Sequence, residues 1–213
     1  MKNRILPREL LLLILAIAPV LYLLMNWSIL PDQVPVHFDI DGNPNGFGSK
    51  MVYLFLPPGI YLLMLVLPLI DPRKQNYEIF SNTYFKLRII LGVFFGIINS
   101  AIIFNTLHHI EKMGLLVPVS VLLLFTLFGN YMGTVRQNYF IGIKVPWTLN
   151  NEEVWTRTHK LAGKLWFWSG MIGVASLLVV KDPIFVMIPV VLIIGVVPVI
   201  YSYIIYQKIT KNV

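Results

Sequence analysis

Apolar and polar residues alternate along this chain in long blocks rather than residue by residue. Six runs, 10–30, 51–70, 87–107, 115–135, 165–180 and 184–206, are almost wholly apolar, with polar stretches between them. A helix needs about 20 mostly apolar residues to cross the hydrocarbon core of a bilayer. Each run approaches or reaches that length and predicts a spanning helix. Apart from Arg88, at the margin of the third run and grouped below with the segment before it, none contains Asp, Glu, Lys, Arg or His. The first run has a basic flank and an Ala16-Ile17-Ala18 triplet, as a signal peptide would. Pro19 and further apolar residues continue it to 30, so it is read as a span.

Positive charge orients the runs. Lys2, Arg4 and Arg8, then Arg73, Lys74, Lys86 and Arg88, then Arg136, Lys144, Arg157, Lys160 and Lys164, then Lys208 and Lys211 all fall on one side of the alternation. Of 17 Lys and Arg residues, only Lys50, Lys112 and Lys181 fall on the other. Lys and Arg accumulate in cytoplasmic loops, so both termini are expected inside. The expected fold is an all-α integral membrane protein of six transmembrane helices, N-in/C-in, with one structured extracellular loop and one cytoplasmic interfacial helix. It forms one membrane domain over 1–213, in which a two-helix segment (residues 1–86) precedes a four-helix segment (residues 87–213).

Composition agrees with this picture. The 213 residues are 57% hydrophobic and 13% charged, with a mean hydropathy of +0.74, far from the usage of soluble domains. A net charge of +7 could suit nucleic acid, yet the basic residues mark membrane boundaries rather than one helix face, so no direct nucleic-acid binding is expected. Cysteine is absent, which removes disulfides, thiolate chemistry and Cys-ligated zinc.

Two connecting segments have room for a site. The outer loop 31–50 carries Asp32, Asp39 and Asp41 against Lys50, and its Pro and Gly residues disfavour a helix. Asp41-Gly42 and Asn45-Gly46 are hairpin-turn dipeptides, so a short strand or extended segment on the membrane surface is expected. In the cytoplasmic loop 136–164, residues 138–147 read as extended or re-entrant, with Tyr139, Phe140, Trp147 and Trp155 as headgroup-level anchors. An interfacial helix is expected from Asn150, which would cap the Glu153 amide, with Val154, Thr158, Leu161 and Leu165 as its apolar stripe. The polar segment 71–86 carries no motif.

Candidate chemistry is sparse. His37, Asp39 and Asp41 alternate along an extended segment and could share one face. A metal site needs about four ligands, so these three are read as loop-bracing groups and no metal or cofactor is expected. His108, His109 and Glu111 read as boundary residues, and His159 as a packing or hydrogen-bonding one. No nucleophile–base spacing, phosphate loop or H-E-x-x-H is present, so no catalysis is expected. Proton pumps need ionisable groups within their spans, which these runs lack apart from Arg88 at the margin of the third.

Two motifs carry a family resemblance. Leu30-Pro31-Asp32-Gln33-Val34-Pro35-Val36-His37, followed by Gly42 and Lys50, resembles the L-P-x-x-V-P-x-H domain of bacterial multi-span proteins. Gly129-Asn130-Tyr131, then the stretch from Asn138 through Gly142, Lys144, Pro146 and Trp147 to Leu149, then Glu153-Val154-Trp155 and Thr158-His159, resembles the C-terminal signature of SdpI-type immunity proteins. Lys144-Val145 stands where Arg-Thr is usual. The resemblance implies protection of the cell from a secreted, membrane-active toxic peptide. It also implies a receptor role, in which toxin-occupied protein holds an ArsR-type repressor at the membrane. The implied partners are the peptide outside, the repressor inside, and membrane lipid. Pro31, Val34, Pro35, His37, Asp39, Asp41, Gly42 and Lys50 would face the toxin; Asn130, Asn138, Gly142, Lys144, Pro146, Trp147, Glu153, Trp155 and His159 would form the cytoplasmic signature. The alternative is a small-molecule or lipid transporter built on the proline-broken second and sixth helices.

Overall fold

A computed structural model describes residues 2–39, 43–110 and 114–211. Its elements in chain order are α1 (Lys2–Met25), β1 (Gln33–Phe38), β2 (Pro44–Ser49), α2 (Met51–Ile70), α3 (Lys74–Ile79), α4 (Ser81–Leu107), α5 (Leu116–Met132), α6 (Pro146–Asn150), α7 (Glu152–Ser176) and α8 (Ile184–Lys211). Four helices, α1, α2, α4 and α8, are long and apolar enough to cross a membrane. The chain is therefore a multi-pass membrane protein built mainly of helices. The apolar α5 is shorter at 17 residues, and α7 begins with a charged segment.

Large apolar side chains cover the outside. Leu13, Ile14, Leu63, Ile172 and Val191 are each at least 40% exposed. Lipid is as apolar as Leu, so burying such residues brings little gain, and polar groups turn inward to find partners instead. Asn99 and Thr126 are accordingly buried within helices, the Thr126 hydroxyl donating to the Leu122 carbonyl at 2.9 Å.

The chain divides into two compact units, residues 1–65 with 88–120, and 66–87 with 121–213. In the first, Leu23, Leu30, Val34, Tyr53, Ile102 and Ile103 form the core. Strands β1 and β2 pair antiparallel from Gln33 opposite Ser49 to Phe38 opposite Pro44, with irregular register around His37. Asn45-Gly46 therefore lies inside β2 and is not a turn. Residues 40–42, with the other turn dipeptide Asp41-Gly42, lie outside the described residues; on either side of them the Asp39 amide donates to the Asn43 carbonyl at 2.8 Å.

The expectation that spans hold no charge fails in this unit. Glu9 lies inside α1 and Arg88 inside α4, and they form a two-pronged ion pair at 2.6 and 2.8 Å. Tyr61 of α2 donates to Glu9 at 3.3 Å and sets its ring under the guanidinium. Each charge sits at the edge of its apolar run, where hydropathy alone assigns it to a loop. A helix starting one or two turns earlier brings both inside, and a charge there requires such a partner.

In the second unit, α5 and α7 cross at glycine. A Cβ on Gly129 would stand 2.4 Å from the Phe167 amide nitrogen, and one on Gly163 would stand 2.8 Å from the Gly129 carbonyl oxygen. Only residues without side chains permit that approach.

Candidate functional site

The outer hairpin is fixed by side chains reaching into carbonyl groups. Lys50, beginning the turn into α2, is only 8% exposed. Its ammonium donates to the Trp27 and Leu30 carbonyls at 3.0 and 3.1 Å, meets Asp32 at 3.1 Å and lies over the Trp27 ring. Three acceptors match its three donors. Lys50 thus points inward, as does Val34, while the Tyr53 hydroxyl donates to the Pro35 carbonyl. His37 Nδ1 bonds Asn45 Oδ1 at 2.5 Å, and Asp39 accepts from the Asn43 amide at 2.8 Å. Asp41 and Gly42 lie outside the described residues. Among the described residues no group of three His, Cys, Asp or Glu could hold a metal. Beside the hairpin a recess of about 490 Å³ is lined by Pro35, Phe38, Phe47, Ile102, Thr106 and His109.

In the second unit a polar network starts from Asp71, which is 2% exposed. Pro72 cannot continue α2, and Asp71 closes the turn by accepting from the Arg73 amide at 2.7 Å. Its other oxygen accepts from the Tyr139 amide at 2.9 Å and the Tyr77 hydroxyl at 3.1 Å. Burial first, and then the Asp71 carboxylate, push the Tyr77 hydroxyl well above its usual pKa, so it remains a donor. Arg73 donates to the Leu149 carbonyl at 2.7 Å, and Asn76 to that of Gln137 at 2.6 Å. The segment 71–86, motif-free as sequence, is therefore the brace of the signature loop.

The loop itself is tied by its own amides. Asn138 is fully buried; its oxygen accepts from the Phe140 and Ile141 amides at 2.9 and 2.6 Å, and its nitrogen donates to the Arg136 and Ile141 carbonyls. Gln137 donates to the Thr148 and Leu149 carbonyls at 2.6 and 2.9 Å. Rather than remaining extended, 146–150 forms the short helix α6, and the cap of α7 is Asn151, one residue later than expected, accepting from the Val154 amide at 3.0 Å.

His159 locks loop to helix. It is fully buried, stacks on Trp155 at 3.9 Å, donates from Nδ1 to the Trp155 carbonyl at 2.8 Å and accepts at Nε2 from the Ile143 amide at 2.9 Å. That pattern suits one neutral tautomer. Burial pushes its pKa down to about 4, the bond to the Trp155 carbonyl opposing the shift. Gly142 makes the fit possible. Its φ is +117°, and a Cβ there would stand 2.3 Å from His159 Nε2.

Trp155 is a packing residue rather than a headgroup anchor: it is 1% exposed and donates to the Val135 carbonyl at 2.9 Å. Trp147 is half-buried, donates to the Ser202 hydroxyl at 2.7 Å and packs on Tyr203 and Tyr206. What remains outward is Tyr139, Lys144, Pro146, Glu152, Glu153 and Arg157, with Glu153 paired to Arg157 at 2.5 Å. Asn130 is exposed on α5, away from these bonds. The buried carboxylate of Asp71 and the buried imidazole of His159 are both engaged in hydrogen bonds, and what the arrangement offers outward is a shaped surface.

The same two regions carry the similarities to known proteins. The SdpI/YfhL protein family matches residues 134–202, from the start of the tied loop to the serine that receives Trp147. A domain of unknown function (DUF1648) matches residues 14–62, which contain the hairpin and its lysine clasp. Over 194 residues the chain is 27% identical to "Immunity protein SdpI" of Bacillus subtilis (strain 168), covering 87% of this chain and 89% of that protein. No solved structure matches. Both matched regions stand in order along the chain, the later one similar to the SdpI/YfhL protein family, and the similarity to the Bacillus subtilis immunity protein runs nearly end to end.

Proposed function

We propose that this protein is an immunity protein that protects its cell from a secreted, membrane-active toxic peptide. The observation that carries the reading is the near end-to-end similarity to an immunity protein, spanning both the hairpin and the tied loop. α5 is about 26 Å long at 1.5 Å per residue, close to the roughly 30 Å of a bilayer core. With the apolar later half of α7 it would bring the spans to six, both termini cytoplasmic, as the distribution of Lys and Arg favours. The hairpin then lies outside, where its recess and its acidic residues meet the peptide. The loop 138–159 lies inside and presents Lys144, Glu153 and their neighbours to a cytoplasmic repressor. Protection is by binding, without chemistry.

Expression of the protein alone in a toxin-sensitive strain tests this, and survival at otherwise lethal peptide concentrations is the expected result. Equal killing with and without membrane-localised protein would sink the reading. Sidedness is checked in this Cys-free chain with Asn43→Cys and Asn150→Cys. An impermeant thiol reagent should label only the former in intact cells.

A further inference from the structure

We propose that the groove between α5 and α7 is a binding site for one anionic phospholipid. The groove, of about 380 Å³, lies over the glycine crossing and is bordered by Asn130, Lys160, Lys164, Phe167 and Trp168. Along α7, Lys160, Lys164, Trp168 and Ile172 recur every fourth residue and so form one stripe. Both lysines are exposed, as are Trp168 at 61% and Ile172 at 62%. Two positive charges therefore lead into two large apolar side chains on one surface. That is the polarity of a phospholipid, headgroup first and acyl chain after.

The lysines need an anion from outside. Like charges four residues apart on a helix repel, and the acids of α7 are Glu152 and Glu153, paired with Arg136 and Arg157. α5 contains no acid at all. Among the described residues neither Lys160, Lys164 nor Asn130 has a side-chain hydrogen bond or ion pair. A phosphate between the two ammonium groups relieves their repulsion, and the Asn130 amide is a further donor at the groove edge. Close approach at Gly129 and Gly163 leaves the groove floor without side chains, and basic pockets between membrane helices suit such headgroups.

The test is native mass spectrometry of the full-length protein, titrated with phosphatidylglycerol or phosphatidylcholine of the same acyl chains. The expected result is preferential retention of one phosphatidylglycerol. Lys160→Gln/Lys164→Gln should weaken it about 30-fold, each single variant about fivefold. Lys208→Gln/Lys211→Gln, which removes the same charge elsewhere, should leave it unchanged. Trp168→Ala should weaken the lipid without creating affinity for inorganic phosphate. The single variants carry the reading should the double variant not fold. Equal retention of phosphatidylcholine, equal loss in the Lys208/Lys211 control, or full displacement by inorganic phosphate at matched concentration overturns the proposal.

Discussion

At the scale of single residues, His159 makes the protein sensitive to acid from within. Its folded pKa of about 4 lies below the ordinary 6.5. The neutral form is the one the fold binds, so its stabilisation is complete above pH 6.5 and is lost as pH falls from 6.5 towards 4. The linked loss approaches about 3 kcal/mol, since a proton on Nε2 would face the Ile143 N–H. Thermal unfolding of purified protein between pH 7.5 and 4 should show this decline. His159→Gln, less stable at pH 7.5, should have lost that component of the slope; an unchanged slope would assign the acid sensitivity elsewhere. Gly142→Ala strains the backbone at φ +117° and drives a methyl into the imidazole. A loss of about 2–4 kcal/mol is expected, read as a lower unfolding midpoint and lower membrane abundance.

At the scale of elements, the helices were legible and their bracing was not. Apolar runs located the long helices because lipid length and side-chain hydropathy are local properties, and the Asn-rich start of α7 was misplaced by a single residue. The hairpin was half legible: prolines and glycines predicted extended chain, but Asn45-Gly46, one of the two expected turn dipeptides, lies within β2, with Gly46 opposite His37. The Asp71 network could not be read, because its partners lie 61 and 68 residues apart and spacing records only near neighbours. Glu9 and Arg88 escaped for the same reason, 79 residues apart. Lys50 gives the testable case. Lys50→Met removes the donor from the Trp27 and Leu30 carbonyls, at a cost of about 1–3 kcal/mol, and should loosen the hairpin more than the bundle. Val34, 1% exposed, is the reporter: Val34→Cys should react slowly with thiol reagents, and at least tenfold faster when Lys50→Met is added. Equal rates in both backgrounds would show that the lysine does not pin the strand.

At the scale of the whole molecule, the proposed division of labour between hairpin and tied loop is separable by mutation. The substitutions must avoid Trp147 and Trp155, whose loss would disturb the packing that shapes the loop. Lys144→Glu with Glu153→Lys instead reverses charge on two exposed side chains and spares the buried network. Survival under toxin should be unchanged while reporter induction through the repressor is lost. A normally abundant variant that dies as fast as cells without the protein would bring the inner loop into protection itself. The Asp71 network also sets an order in time. The ribosome delivers Asp71 68 residues before Tyr139, which at about 5–20 residues per second is a wait of roughly 3–14 s. Through that interval the carboxylate can hold the nearby Arg73 amide with one oxygen, while the other has no Tyr139 amide to receive it and must stay hydrated. A nascent chain stalled before Asn138 therefore lacks both the Asn138 oxygen and the Tyr139 amide that close the network, and the segment from Asp71 to Tyr77 is braced only once the loop has been made.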